Sequence, residues 1–350
     1  MAAKRFIGLG LRRSRQDTTL EVWYLAFFLH TGQPLPQVIA SALPKGNGFS
    51  PISSDLLADV FEFARMPFNR KWGTLPNSYS KSDWILFQLS DFSAPIRSTE
   101  DAYFRLHLMS NRMVKPNAMS LDGLFWALPN VAWTSEGPVL PEDVSTFRLE
   151  TMAAGKQLTV SHVDKFPYLV NYVVPTGVRI ASGAQVRLGA YLGEGTTVMP
   201  AGFVNFNAGS EGKAMIEGRV SAGVFLGDGT DIGGGASIMG TLSGGNAHVV
   251  SIGAACLLGA NAGVGISLGF GCTVEAGLYV TAGTIVALYN RESAPVDLNG
   301  QRVNEGQNLV KARDLSGRDH MLLMRHSQTG QVMCRPNPRT ISLNSQLHTN

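Results

Sequence analysis

The chain has 350 residues, a formal net charge of +3, 16% charged residues, 39 glycines and three cysteines. That length accommodates two or three domains with substantial cores, the dispersed charge excludes a nucleic-acid footprint, and no apolar run approaches a membrane span. Cys256, Cys272 and Cys334 fit no zinc spacing, and together with a basic Met1–Arg13 stretch lacking a signal-peptide core they point to a reducing, cytoplasmic location.

Residues 1–100 read as an N-terminal α/β domain. Leu20 to Phe28 is an apolar run suited to a buried strand or a short helix. Ser54 to Arg65 carries Leu56, Leu57, Val60 and Phe61 at helical spacing, with Ser53 or Ser54 as N-cap, and Trp84 to Phe87 reads as a strand. A linker helix and crossover should occupy 101–173. Asp101 to Lys115 forms its helix, with Ala102, Leu106, Met109 and Met113 as the apolar stripe and Pro116 as the stop. His107 on that helix reads as structural.

From Val174 to Ala287 the sequence repeats every six residues. The leading residues are Val174, Ile180, Val186, Leu192, Val198 and Val204, then Ala214, Val220, Leu226, Ile232 and Ile238, then Ile252, Leu258, Val264, Phe270, Ala276 and Ala282. Six matches neither the helical nor the strand period; it is the mark of a hexapeptide parallel β-helix, in which three hexads close one triangular coil. The leading aliphatics and the fifth positions, such as Cys256, should point inward. Glycine often follows the leading residue, as in Leu226-Gly227, where a corner could require positive φ. About six coils stacked 4.8 Å apart predict a prism roughly 25–30 Å long. Two breaks, after Val204 and after Ile238, read as loops leaving the solenoid on a binding face. The final segment, 288–350, should contain a hairpin of Met321–Met324 and Gln331–Met333 turning at Thr329-Gly330, then a loose polar tail from Pro336.

Seven stretches together resemble one family. They are RLHLMSNRMVKP (105–116), LDGLFWALPNVAWTSEGPV (121–139), GTTVMPAGFVNFNAG (195–209), EGRVSAGVFLGDGTDIGGGASIMGTLSGG (217–245), SIGAACLLGANAGVGISLGFGCTVEAGLYVTAG (251–283), VKARDLSGR (310–318) and LLMRHS (322–327). The chain resembles the longer form of tetrahydrodipicolinate N-succinyltransferase, an enzyme of bacterial lysine and diaminopimelate biosynthesis. The resemblance implies an α+β N-terminal region joined to a left-handed parallel β-helix, and a homotrimer. It also implies transfer of succinyl from succinyl-CoA, as cosubstrate with no permanently bound cofactor, to the amino group of tetrahydrodipicolinate.

The residues of interest follow from that resemblance. From the residues alone, Glu217 reads equally as a catalytic carboxylate and as a surface partner of Arg219. In the family the glutamate of this EGR segment is the catalytic carboxylate, acting as general base or as nucleophile. Arg219 corresponds to a donor contact suited to a succinyl carboxylate. Gly234, Ser237 and Gly240 correspond to the acyl and thioester end, although Gly234 also reads as a plain corner glycine. Ala260, Glu275, Ala276 and Gly283 correspond to the pantetheine groove, and Lys311, Arg325 and Ser327 to the nucleotide end. His248, the sole histidine in the repeat, lacks a recognisable partner and reads as solvent-facing. The carboxylates that hold a metal on the family's trimer axis are matched by Ala184 and Ala201, so no metal site is expected. Two other readings stay open: an N-acyltransferase for a different amine, and a non-catalytic solenoid paralogue.

Overall fold

A computed structural model describes residues 5–32, 34–73, 75, 78–242 and 248–338. The chain forms two compact units, one of residues 1–108 and 118–167, the other of residues 109–117 and 168–350. The stretch 118–167 therefore folds with the N-terminal residues instead of serving as a linker.

The first unit is built on a four-stranded antiparallel sheet, ordered β2-β1-β4-β3, from β1 (Arg5–Arg15), β2 (Thr18–His30), β3 (Gly48–Pro51) and β4 (Lys81–Leu89). One face packs Ile7, Leu9, Leu11 and Leu86 against Ile39 of α1 (Gln37–Ala42) and Leu57, Val60 and Phe61 of α2 (Ser54–Phe63). Ser53 caps α2 by accepting the Leu56 N–H. On the other face, Gly8 leaves room for the Phe104 ring of α3 (Thr99–Ser110), which sits 4.7 Å from Phe87 and 4.9 Å from Tyr24. Two short helices follow, α4 (Leu124–Ala127) and α5 (Val144–Ala153), with a three-stranded sheet of β5 (Val131–Thr134), β6 (Gly137–Val139) and β7 (Val160–Asp164). His107 is fully buried, as expected of a structural residue, with Nδ1 2.8 Å from the Tyr103 carbonyl.

α3 stops at Ser110, short of the expected Lys115. Arg112 adopts a left-handed backbone angle (φ 59°) that a helix cannot accommodate, and Asn117, past the expected end, is left-handed as well (φ 64°). Instead they strap segment 109–117 to the second unit. Arg112 donates to the carbonyls of Leu192 and Thr176 at 2.6 Å each; Asn117 Oδ1 accepts the Asn207 side-chain amide at 2.9 Å, and the Asn117 backbone N–H donates to Asn207 Oδ1 at 2.8 Å.

The second unit is a three-faced parallel β-helix. Its first face stacks Tyr191–Leu192, Gly209–Ser210, Phe225–Leu226 and Ser251–Ile252. The second stacks Arg179–Ile180, Thr196–Val198, Ala214–Ile216, Thr230–Ile232, Leu257–Leu258 and Thr273–Val274. The third stacks Phe203–Val204, Arg219–Val220, Ser237–Ile238, Gly263–Val264 and Tyr279–Val280. The last residue of each strand enters a continuous core, joined by fifth-position residues such as Ala236, Cys256 and Cys272.

The register corrects the hexad frame in three places. Ser210, not a loop residue, is the inward-facing residue after Val204, and Ile216, not Ala214, aligns with Val198 and Ile232. The first break is thus no extruded loop; the chain instead loses two residues at the corner between Ile216 and Val220. The same shortening occurs between Val264 and Leu268, so Leu268, Val274 and Val280 are the inward residues, while Phe270 and Ala276 are exposed. Val174 is 82% exposed and precedes the prism. Only the step from Ile238 to Ile252 is long. Its base pairs Thr241 with Val249, and the expected Ser243-Gly244-Gly245-Asn246 loop lies outside the described residues.

The glycines divide by role. Those after the inward residue have ordinary φ and are required by close stacking: a Cβ on Gly227 would lie 2.3 Å from the Ala254 nitrogen. The left-handed angle falls two residues later, at Gly229, Gly235, Ala255, Asn261, Gly271 and Gly277.

Past the last coil the second-face sheet continues through Met321–Arg325, Val332–Pro336, Ile285–Leu288 and Leu309–Lys311. The expected hairpin is present, running antiparallel from Met321↔Pro336 to Arg325↔Val332 and turning through Gly330 at φ 75°. Of the expected loose tail, residues 339–350 lie outside the described residues.

Candidate functional site

Seven of the twelve sequence candidates, Glu217, Arg219, Gly234, Ser237, Ala260, Glu275 and Ala276, gather along one edge of the prism, where the second face turns into the third. Glu217 follows Ile216 and occupies the shortened corner. Coils below and above take the full hexad, Val198 to Val204 and Ile232 to Ile238, so the chain at Glu217 cuts inside its neighbours and leaves a notch. Its backbone is held by its N–H to the Ile232 carbonyl at 2.8 Å and by the Gly235 N–H to its own carbonyl at 3.2 Å. The side chain is half-buried, and among the described residues no hydrogen bond or ion pair engages its carboxylate. Gly234 faces that carboxylate: a Cβ there would lie 3.4 Å from Oε2. Gly234 is thus more than a corner residue, because its missing side chain keeps the notch open.

Arg219 and Ser237 are register neighbours on the third-face side of this edge. Arg219 Nη2 donates to Ser237 Oγ at 2.6 Å. The guanidinium is therefore fixed by serine and not by Glu217, which removes the plain ion-pair reading of the two charges. Gly263 and Tyr279 continue the column. The Tyr279 ring lies on bare backbone, since a Cβ on Gly263 would come within 2.1 Å of it, and the ring is 43% exposed. Neither residue stood out in the sequence; the signal is the corrected frame, which brings both into the Arg219 column.

Ala260 and Ala276 occupy the same corner in the next two coils and are exposed. The N–H groups of Gly234, Ala260 and Ala276 take no part in the coil ladder, which runs through their neighbours: Gly233 to the Leu258 carbonyl, Gly259 to that of Val274 and Glu275 to that of Leu323. The edge therefore presents a file of peptide donors without a partner among the described residues. Glu275 Oε2 accepts the Arg325 N–H at 2.7 Å. The pairings Arg325↔Val332, Ala287↔Met333 and Ile285↔Lys311 set Arg325 and Lys311 at the same end of their shared sheet. At about 4.8 Å per strand, Arg325 lies four steps from Glu217, on the order of 19 Å, and Lys311 seven steps, on the order of 34 Å. Gly283 lies in the turn closed by the Thr284 N–H and the Thr281 carbonyl, and Ser327 is exposed in the hairpin turn.

Gly240 stands apart, at the far end of the third face. It accepts the Val250 N–H at the base of the long step and lies against the Ala222 carbonyl. His248 is exposed on that step, and its carbonyl accepts the Leu242 N–H.

The chain is similar to known proteins over most of its length. Residues 128–168 match a model of the middle region of tetrahydrodipicolinate N-succinyltransferase, and residues 249–282 match a model of the hexapeptide repeat of succinyl-transferase. A 2,3,4,5-tetrahydropyridine-2,6-dicarboxylate N-succinyltransferase from Pseudomonas paraeruginosa is 47% identical over 97% of this chain and 96% of its own. The chain belongs to the tetrahydrodipicolinate N-succinyltransferase family. The protein of the same name from Vibrio cholerae is 52% identical over 77% of this chain and 76% of its own. A Campylobacter jejuni crystal structure, described as a 2,3,4,5-tetrahydropyridine-2-carboxylate N-succinyltransferase, covers 97% of this chain and 94% of its own with a TM-score of 0.79 at 27% identity. With family membership the prism is a left-handed parallel β-helix, and the acyltransferase family implies an acyl-CoA cosubstrate. Among the described residues no helix is long and apolar enough to cross a membrane.

Proposed function

We propose that this chain moves the succinyl group of succinyl-CoA to the amino group of tetrahydrodipicolinate, in its open 2-amino-6-oxopimelate form, within lysine and diaminopimelate biosynthesis in the cytoplasm. The observation that carries the reading is the half-buried, unpartnered Glu217 carboxylate at the head of an edge lined with free peptide N–H groups. The family's acyl chemistry needs these parts. The acceptor ammonium must lose a proton, the thioester carbonyl must be attacked, and its developing oxyanion needs donors.

As general base, Glu217 takes the ammonium proton; the amine attacks the thioester carbon, the carbon–sulfur bond breaks, and the coenzyme thiolate leaves and is protonated. As nucleophile, the carboxylate itself displaces the thiolate, and the amine then attacks the resulting anhydride and regenerates Glu217. The Gly234 N–H, on the residue that faces the Glu217 carboxylate, is the donor offered to the oxyanion. Arg219, oriented by Ser237, takes the succinyl carboxylate. The pantetheine arm follows Ala260 and Ala276, whose N–H groups face its amide carbonyls, and the phosphates meet Arg325 and Lys311. A lone prism leaves this edge open on one side, which supports a homotrimer whose neighbouring prism closes the groove.

Thiol release from succinyl-CoA and tetrahydrodipicolinate tests the reading, with acetyl-CoA in parallel and Glu217→Ala as control. The expected result is succinyl-selective turnover that falls about 100-fold or more in the variant. Turnover untouched by the substitution would remove Glu217 from the chemistry. Coenzyme binding without turnover would point to a different amine acceptor.

A further inference from the structure

We propose that Glu275 is a positioning residue for the acyl donor and acts through Arg325. This inference rests on the donor path just described. Glu275 grips the C-terminal hairpin at two points, its N–H bonding the Leu323 carbonyl at 2.9 Å and its Oε2 accepting the Arg325 N–H at 2.7 Å. The two bonds bracket Met324. They lie at the junction where the repeat ends and the hairpin begins, because Thr273–Val274 pairs with Leu322–Leu323 and with nothing farther along that strand. Beyond Leu323 no solenoid backbone pairs with the strand among the described residues, and the glutamate side chain supplies the missing acceptor.

The choice of partner decides the role. Glu275 takes the peptide N–H of Arg325 and leaves its guanidinium exposed and without a partner among the described residues. A carboxylate offered directly to a phosphate-bearing donor would repel it. Spent on a backbone N–H, the same charge instead fixes the base of a cation free to meet phosphate, and a side chain anchored before binding has less freedom to lose on binding. Glu275, which the resemblance assigns to the pantetheine groove, thus serves as an anchor for the contact next to it.

The test combines amide hydrogen exchange on the ligand-free protein with calorimetric titration by coenzyme A, for the wild type, Glu275→Ala, Glu275→Gln, Arg325→Ala and the double alanine variant. Losing a charge-assisted bond should speed exchange at the Arg325 amide about tenfold or more in Glu275→Ala, with substantial recovery in Glu275→Gln, which keeps an acceptor oxygen. The Kd for coenzyme A should rise about fivefold or more in each single alanine variant, and the double variant should bind no worse than Arg325→Ala. Unchanged exchange at Arg325, or additive losses in the double variant, would overturn the proposal. Both readouts are independent of turnover, so a failed succinyl transfer would count against the proposed function and leave this inference standing.

Discussion

Two glycine-to-alanine substitutions in the same solenoid should differ in cost because they break different requirements. In Gly227→Ala the new methyl would lie 2.3 Å from the Ala254 nitrogen, 2.6 Å from the Gly253 carbonyl carbon and 2.7 Å from the Ala254 Cα. All three are backbone atoms of the next coil, which the Gly227 N–H holds through the Ile252 carbonyl at 2.8 Å. Relief requires moving one coil away from another, so the loss should reach the upper end of overpacking, about 3 kcal/mol. Gly277 has φ +73°, and a methyl added there would meet nothing within 4 Å. Its substitution meets only the left-handed penalty, about 1–2 kcal/mol, partly offset by a stiffer unfolded chain. The gap of about 2 kcal/mol should appear as a larger fall in urea midpoint for Gly227→Ala, followed by circular dichroism at one fixed protein concentration. Equal losses, or a larger loss at Gly277, would refute the division of glycines by role.

Burial pulls the His107 pKa down to about 4. An unfolded histidine titrates near 6.5, so below about that pH the unfolded chain binds a proton that the folded chain refuses. Stability is then full above about 6.5 and falls by about 2 kcal/mol from pH 7 to pH 5; urea midpoints at the two values should show it, and His107→Gln should flatten the slope. Arg219→Lys keeps the charge but loses the planar fork, and the preference for succinyl-CoA over acetyl-CoA, as a ratio of kcat/KM, should drop about tenfold; an unchanged ratio would free Arg219 from acyl recognition. The thiols of Cys256 and Cys334 are raised, the first chiefly by its hydrogen bond with Cys272 and the second by burial to about 12, while that same bond lowers Cys272 inside a fully buried site. An alkylating reagent at about pH 8 should spare all three in the native protein and modify all three in urea, as mass spectrometry would read; fast native labelling at any of them would contradict the packed core.

The period was legible because each short strand sends one side chain into the prism, and most of those are Val, Ile or Leu. It failed where the physics left no such mark. Ser210 occupies an inward position, but its hydroxyl meets Thr196 Oγ1 at 2.6 Å, so a polar residue is satisfied in the core and looks like loop in the sequence. The four-residue corners at Glu217 and Ser267 shift the frame by two, and register, which no single sequence displays, is what reveals them. β1 was hidden for a related reason. Ile7, Leu9 and Leu11 alternate with Gly8 and Gly10, and those glycines make room for Tyr24 on the next strand and for Phe104, far along the chain. Among the site candidates, Glu217 and Arg219 were singled out by resemblance. That Arg219 bonds Ser237, and that Glu275 grips a peptide N–H, depends on pairings across 18 and 50 residues.

The hairpin that closes the second face bears on solubility. A stack of parallel rungs ends in unpaired peptide groups of the same polarity as those inside it, which makes its end a seed for further copies. Here Met321–Arg325 adds one more parallel rung, and Val332–Pro336 then reverses direction, so the translational pattern is broken after a single step. The outermost strand, Leu309–Lys311, is three residues long and ends in a lysine, both features that discourage edge-to-edge growth. The same segment that carries the proposed phosphate contacts thus acts as a terminator, and a chain cut before Met321 would be expected to polymerise end to end.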